Sequence, residues 1–229
     1  MTINPSDLEA LWITLKLAAI STGLLLLVTP PLAWWLAHSR ARWRPMVEAL
    51  VALPLILPPT VLGFYLLLLF SPLYLPGQWM QALTGTTLAF SFSGLVIGSM
   101  IYSLPFVVQP LQSSFATLGK GELEAAATLG MNRWKRFHYV VFPMTRHSFV
   151  LAGMLGFAHT LGEFGVVLMI GGNIPGETQV IAIALFEHVE ALDYASAHLL
   201  AGLMLATSLA LLLFIYVGMD RRKRAWGYW

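Results

Sequence analysis

The chain has 229 residues, 58% of them hydrophobic and only 10% charged, with a formal net charge of +2 and a mean hydropathy of +0.74. A soluble domain usually carries about 25% charged residues, and a water-soluble fold of this composition would expose large apolar patches, so the chain reads as an integral membrane protein with no room for a separate soluble domain. The absence of cysteine excludes disulfides, thiolate metal sites and cysteine nucleophiles.

The amino terminus, MTINPSDLEALW, carries acids and no basic run, unlike a cleaved signal peptide. A hydrocarbon core needs about 20 apolar residues per helix. Five stretches meet that length: roughly 11–37, 49–70, 88–108, 149–170 and 197–218. Arg40, Arg42 and Arg44 follow the first span. Lys120, Arg133, Lys135, Arg136 and Arg146 follow the third, and Arg221, Arg222, Lys223 and Arg224 follow the fifth. The other two connections, 71–87 and 171–196, contain no Lys or Arg. Because basic residues mark the cytoplasmic side, the expected topology is five spans with the amino terminus outside and the carboxy terminus in the cytoplasm. Lys16 is the exception, inside span one, where its long stem can snorkel outward to the interface.

In span two, Pro54, Pro58, Pro59 and Gly63 predict a broken or bent helix. Backbone freed in this way survives in a membrane only against protein or water, so this span is expected to face a pathway. Span three carries Gly94-x-x-x-Gly98, and span five Gly202, Ala206 and Ala210. Such spacing permits close helix approach, either within the chain or between two chains. The connection at about 119–147 interrupts the apolar pattern. Residues 122–129 are mostly good helix formers with acids in the first turn. Gly130 is suited to a left-handed end, Asn132 to capping a second, basic helix, and Pro143 to interrupting it. Leu123, Ala126 and Leu129 recur near helical spacing as a small apolar face. A segment of this kind either rests on anionic lipid or enters a groove on a partner.

Span four places His159 and Glu163 at i, i+4, where side chains meet on one face. An intramembrane carboxylate is a functional candidate, although a fixed negative charge would repel an anion, which favours packing over gating. Asp7, Glu9, Glu177, Glu187, Glu190 and Asp193 fall on the predicted outer side. Such a field disfavours capture of a free anion on that side. Residues 172–176, Gly-Asn-Ile-Pro-Gly, form a turn-rich outer loop, so Asn173, Pro175, Gly176 and Glu177 are the docking candidates. Five spans are too few to enclose a pathway alone, so a second copy is expected. No GxxxxGK[ST] phosphate loop is present, so the chain carries no ATPase site of its own.

Three passages carry a resemblance. Glu124-Ala125-Ala126, Gly130, Val140 and Phe142-Pro143 match the EAA signature of ABC importer permeases, with conservative departures at Val140 and Phe142. "LPLILPP", from Leu53, and "LGEFG" followed by "NIPGET", from Leu161, resemble the molybdate and sulfate group. The short five-span form is most similar to its molybdate branch. The resemblance implies one permease domain over residues 1–229, working as a homodimer by alternating access in a bacterial or archaeal inner membrane. Two ATPase subunits would hold ATP and Mg and receive a coupling helix at Glu124, Ala125, Ala126, Leu129 and Gly130. The cargo would be a tetrahedral oxyanion, with molybdate first and sulfate or tungstate as alternatives, delivered by a periplasmic or extracellular binding protein. No catalytic residue, metal, bound cofactor or nucleic-acid partner is expected of this chain itself; membrane lipid is its solvent. The gate candidates are Pro54, Pro58, Pro59, Gly63, His159 and Glu163. Family members often carry an arginine where this chain has His159. Two other classes remain open. A proton-coupled carrier would use His159 and Glu163 as a relay, but the paired broken-helix repeats of such carriers are not evident. An intramembrane hydrolase would draw on Ser148, His159 and Glu163, without a GxSxG-like nucleophile setting.

Overall fold

A computed structural model describes residues 4–225, with side chains described through Leu213 apart from Thr84 and Lys120. The described residues are helical, with no strand among them. In chain order the helices are α1 (Pro5–His38), α2 (Arg44–Ala52), α3 (Pro59–Phe70), α4 (Leu75–Thr84), α5 (Phe92–Thr117), α6 (Lys120–Thr128), α7 (Arg133–Arg136), α8 (Phe142–Leu161), α9 (Gly165–Gly171), α10 (Ile181–Glu190) and α11 (Tyr194–Ala225). Four stretches are long and apolar enough to cross a membrane: α1, α5, Arg133–Leu161, and Tyr194–Leu213 of α11. A fifth arises if Arg44–Leu55 and Pro59–Phe70, bent by 110° at their junction, count as one broken span.

Two apolar cores lie along the bundle, and successive spans run between them in alternate directions. One core joins Ile13 and Leu17 of α1 with Leu66 and Phe70 of α3, Leu95 of α5, and Val166 and Ile170 of α9. The other joins Leu25 and Leu36 of α1 with Val51 of α2, Val107, Leu111 and Phe115 of α5, and Val141 and Ala152. The second core lies beside the basic connections and marks a basic end of the bundle; the first lies toward the acidic connections. A smaller cluster fastens α1 to α10 and α11 through Ala10, Ile181, Ala184 and Leu200.

Three expected spans differ from continuous apolar rods. The span at 49–70 bends because Pro58, extended at φ −55° and ψ 134°, precedes Pro59 at the start of a new helix. Proline lacks a donor and forces its predecessor out of helical geometry. The span at 88–108 begins at Phe92, where the Ser91 hydroxyl accepts the Gly94 N–H at 3.1 Å, and continues to Thr117. Hydropathy falls after Val108, but Leu111 and Phe115 keep the helical spacing and are fully buried. The span at 149–170 stops at Leu161 and resumes as α9 after a turn through Gly162, Glu163 and Phe164.

Pro143 does not interrupt the chain as expected. Helix runs from Arg133 to Leu161 through a π turn at Phe137–Val141, in which the Phe142 N–H donates to the Phe137 carbonyl. The wider π turn accommodates the missing proline donor at the start of α8.

Small residues set the tight crossings. A Cβ on Gly98 would overlap Ile170, and one on Gly94 the Leu88 carbonyl, so this pair serves packing within the chain. A Cβ on Gly202 would meet nothing within 4 Å, and Ala206 and Ala210 beside it are exposed.

Candidate functional site

At the basic end, α6 stands out from the bundle with a well-formed carboxyl end. Its last turn closes through Gly130 N–H to the Ala127 carbonyl at 3.0 Å and Met131 N–H to the Ala126 carbonyl at 3.2 Å. That paired closure needs a left-handed residue, and Gly130 supplies it at φ +71°. Asn132 then starts α7 by accepting the Lys135 N–H at 2.8 Å. Leu123 packs against the nearby core and Ala126 is buried, which fixes the helix to the body of the chain. Leu129 does not join that face: it is 76% exposed, because the closing turn swings it away. Glu124 and Ala125 are exposed as well. The outward surface of α6 is therefore small side chains flanked by a carboxylate and a leucine, a shape that admits a close partner.

In the middle of the bundle, the two broken spans meet. A Cβ on Gly165 would lie 2.8 Å from the Pro59 side chain, and one on Gly63 would lie 2.8 Å from Met169. Pro54 and Gly63 are buried within the chain, Pro59 is half-buried, and Pro58 is exposed. The exposed tip of this break is apolar, with Ile56 83% exposed beside Leu55.

His159 and Glu163 do not pair. The helix ends between them, which removes the i, i+4 geometry. His159 Nδ1 instead lies 2.9 Å from the Ser103 hydroxyl of α5, and that hydroxyl lies 3.0 Å from Thr160 Oγ1. The imidazole stacks on Phe106 with ring centres 4.0 Å apart and tilts against Tyr102 at 4.6 Å. Glu163 is buried beside Ser99, and neither makes a hydrogen bond of ordinary geometry within the chain.

At the acidic end, the loop 172–178 is held in one shape. Gly172, Asn173 and Gly176 take positive φ of 65°, 57° and 78°. The Thr178 hydroxyl donates to the Gly171 carbonyl at 2.6 Å and accepts the Ile174 N–H at 2.9 Å. Asn173 donates to Glu187, which also accepts from Gln179 at 2.7 Å. Pro175, Gly176 and Glu177 remain exposed. Nearby, His188 bridges Asp7 at 3.1 Å and Asp193 at 3.5 Å, tying the start of α1 to the α10–α11 corner. Hydrogen bonds from Ser196 hold the Asp193 carboxyl below the usual aspartate value. Lys16 rests its ammonium 4.5 Å from the centre of the Phe92 ring. The interhelical partners Ser103 and Thr160 carried no motif, and only the packing of α5 on α8 identifies them.

Known proteins share the fold. Among solved structures, the fold matches a bacterial ABC transporter involved in import of the acidic polysaccharide alginate, with a TM-score of 0.77 and 16% identity over 96% of this chain and 80% of that one. It also matches the MetNI methionine ABC transporter in inward-facing conformations, with a TM-score of 0.66 and 16% identity over 95% of this chain and 94% of that one. In sequence, the chain is 53% identical to the molybdenum transport system permease protein ModB of Azotobacter vinelandii, over 94% of this chain and 96% of that protein. It is 36% identical to the sulfate transport system permease protein CysT of Escherichia coli (strain K12), over 93% of this chain and 76% of that protein. Residues 30–225 match the family described as binding-protein-dependent transport system inner membrane component. The chain belongs to that family.

Proposed function

We propose that the chain is the permease subunit of an ATP-driven importer of molybdate. The observation that carries this reading is the 53% identity to ModB along nearly the whole of both chains. The projecting α6 supports it, because a capped helix with small exposed side chains suits insertion into a cleft on a cytoplasmic ATPase. Five spans with the amino terminus outside and the carboxy terminus inside put the basic end in the cytoplasm, in keeping with the distribution of Lys and Arg.

Two copies of this chain would enclose the pathway between them, with two ATPase subunits below and a binding protein above. ATP and Mg would act on the ATPase subunits, and this chain would contribute no catalytic group. Glu124, Ala125, Ala126, Leu129 and Gly130 would transmit ATPase closure to α7, α8 and the broken spans. Such transmission requires contacts that differ between the two states, not attachment alone. The exposed tip at Leu55, Ile56 and Pro58 is the element of span two placed to line the pathway. The Gly165–Pro59 contact would link its movement to Glu163. His159 is anchored to α5 and serves this link as a packing residue. The rigid loop at Asn173, Pro175, Gly176 and Glu177 offers the binding protein a fixed surface.

The similarity to CysT makes sulfate the second reading. Radiolabelled molybdate uptake in cells expressing the chain with its ATPase and binding protein separates the two. Uptake that resists a large excess of sulfate is expected. Sulfate uptake that outpaces molybdate at equal concentration would overturn the assignment.

A further inference from the structure

A groove of about 870 Å³ opens along the second half of α1 where it faces the Arg133–Leu161 helix. Leu27 and Pro31 line one wall, and Phe142 and Phe149 the other; Arg133 and Arg136 lie at one end. We propose that this groove is a binding site for an anionic phospholipid, with its phosphate at the two arginines and an acyl chain along the apolar walls.

The order of chemistry along the groove matches the depth profile of a bilayer leaflet. Arg133 and Arg136 begin the helix at the basic end, whereas Phe149 lies 13 residues beyond Arg136, about 20 Å along the axis. That distance slightly exceeds half of a hydrocarbon core about 30 Å thick, so an acyl chain fits the apolar stretch with its headgroup at the surface. Pro30 and Pro31 help to leave the hollow, because they supply neither backbone donors nor long side chains.

Charge selects the headgroup. Among the described residues, neither Arg133 nor Arg136 forms an ion pair. Two unpaired guanidiniums beside a membrane-facing groove attract phosphate and an additional negative headgroup charge. A zwitterionic lipid offers them less. A soluble ATPase cannot follow the groove into the hydrocarbon.

The test is native mass spectrometry of the chain purified with its ATPase partner, offered equal phosphatidylglycerol and phosphatidylcholine of matched acyl chains. Near-surface attraction of about fivefold per basic residue predicts a clear preference for phosphatidylglycerol. That preference should fall by about 25-fold in Arg133→Gln/Arg136→Gln and persist in Arg40→Gln/Arg42→Gln. Equal retention of the two lipids by the natural protein would overturn the site, and so would equal loss of preference in both double variants. The chain has no cysteine, so Leu27→Cys provides a second check: efficient disulfide linkage of two copies through that position would show a second chain in the groove and sink the lipid assignment. Lipid retention is read independently of transport, so failure to find an ATPase would count against the importer reading while leaving this result intact.

Discussion

Gly130 shows how one residue shapes the α6 segment. At φ +71° it closes α6 with two backbone hydrogen bonds, and a β-branched residue there meets a steric cost of about 1–2 kcal/mol. Gly130→Val is expected to loosen the end of α6, detected as faster amide hydrogen exchange at Leu129 to Met131 with the core unchanged. This position was legible in the sequence because a helix end followed by glycine is a local signal. The role of Ser103 was not. It lies 56 residues from His159, yet its hydroxyl contacts both the imidazole and Thr160. Ser103→Ala removes the hydroxyl partner of the half-buried His159 imidazole, while Thr160 keeps its bond to the Gly156 carbonyl at 3.0 Å. The loss costs about 1 kcal/mol, and the thermal midpoint in detergent should fall accordingly. An unchanged midpoint would mean that the His159 cluster contributes nothing to stability.

Among the elements, the contact of α3 with α9 carries the most consequence, since each begins where a span breaks. Gly165→Val would force a side chain into space already held by Pro59, and overpacking of this kind typically costs about 1–3 kcal/mol. The variant should unfold at lower temperature than the natural protein. Gly202→Val on α11 is the counterpart: its added atoms meet nothing in the chain, so monomer stability should be unchanged. A smaller particle for Gly202→Val in mild detergent would locate a subunit interface on α11. Unaltered size would assign that face to lipid. Sequence spacing flagged the small-residue stretches of α5 and α11 alike; only neighbouring helices reveal that the first is filled and the second open.

For the whole molecule, the arrangement of charge explains more than its net value. Basic connections gather at one end of the bundle, while the loop 172–178, Glu187 and the Asp7–His188–Asp193 bridge gather at the other. The projecting helix at the basic end can be tested without disturbing the core, because Ala125 is exposed. Ala125→Arg keeps a good helix former but places a long charged side chain on the proposed docking face. Co-purification of the ATPase should drop severely while the thermal midpoint of the chain stays put. Retention of a full complement of ATPase would place the docking surface elsewhere.

The sequence alone determined that the chain is helical and membrane-embedded, roughly where its apolar segments lie, and where α6 stops. Hydropathy, glycine and capping residues act over one helix turn or one bilayer thickness, so they leave their mark in contiguous residues. The continuity of helices was less legible. Pro143 looked like a break, and the π turn before it carried the helix through; span four looked continuous, and it broke at Gly162 because α9 packs independently on α3. The partner of His159, the separation of Glu163 from it, and the groove between α1 and α8 were decided by tertiary structure alone. Each depends on which faces of distant helices meet, and in a uniformly apolar chain hydrophobic periodicity does not specify those faces.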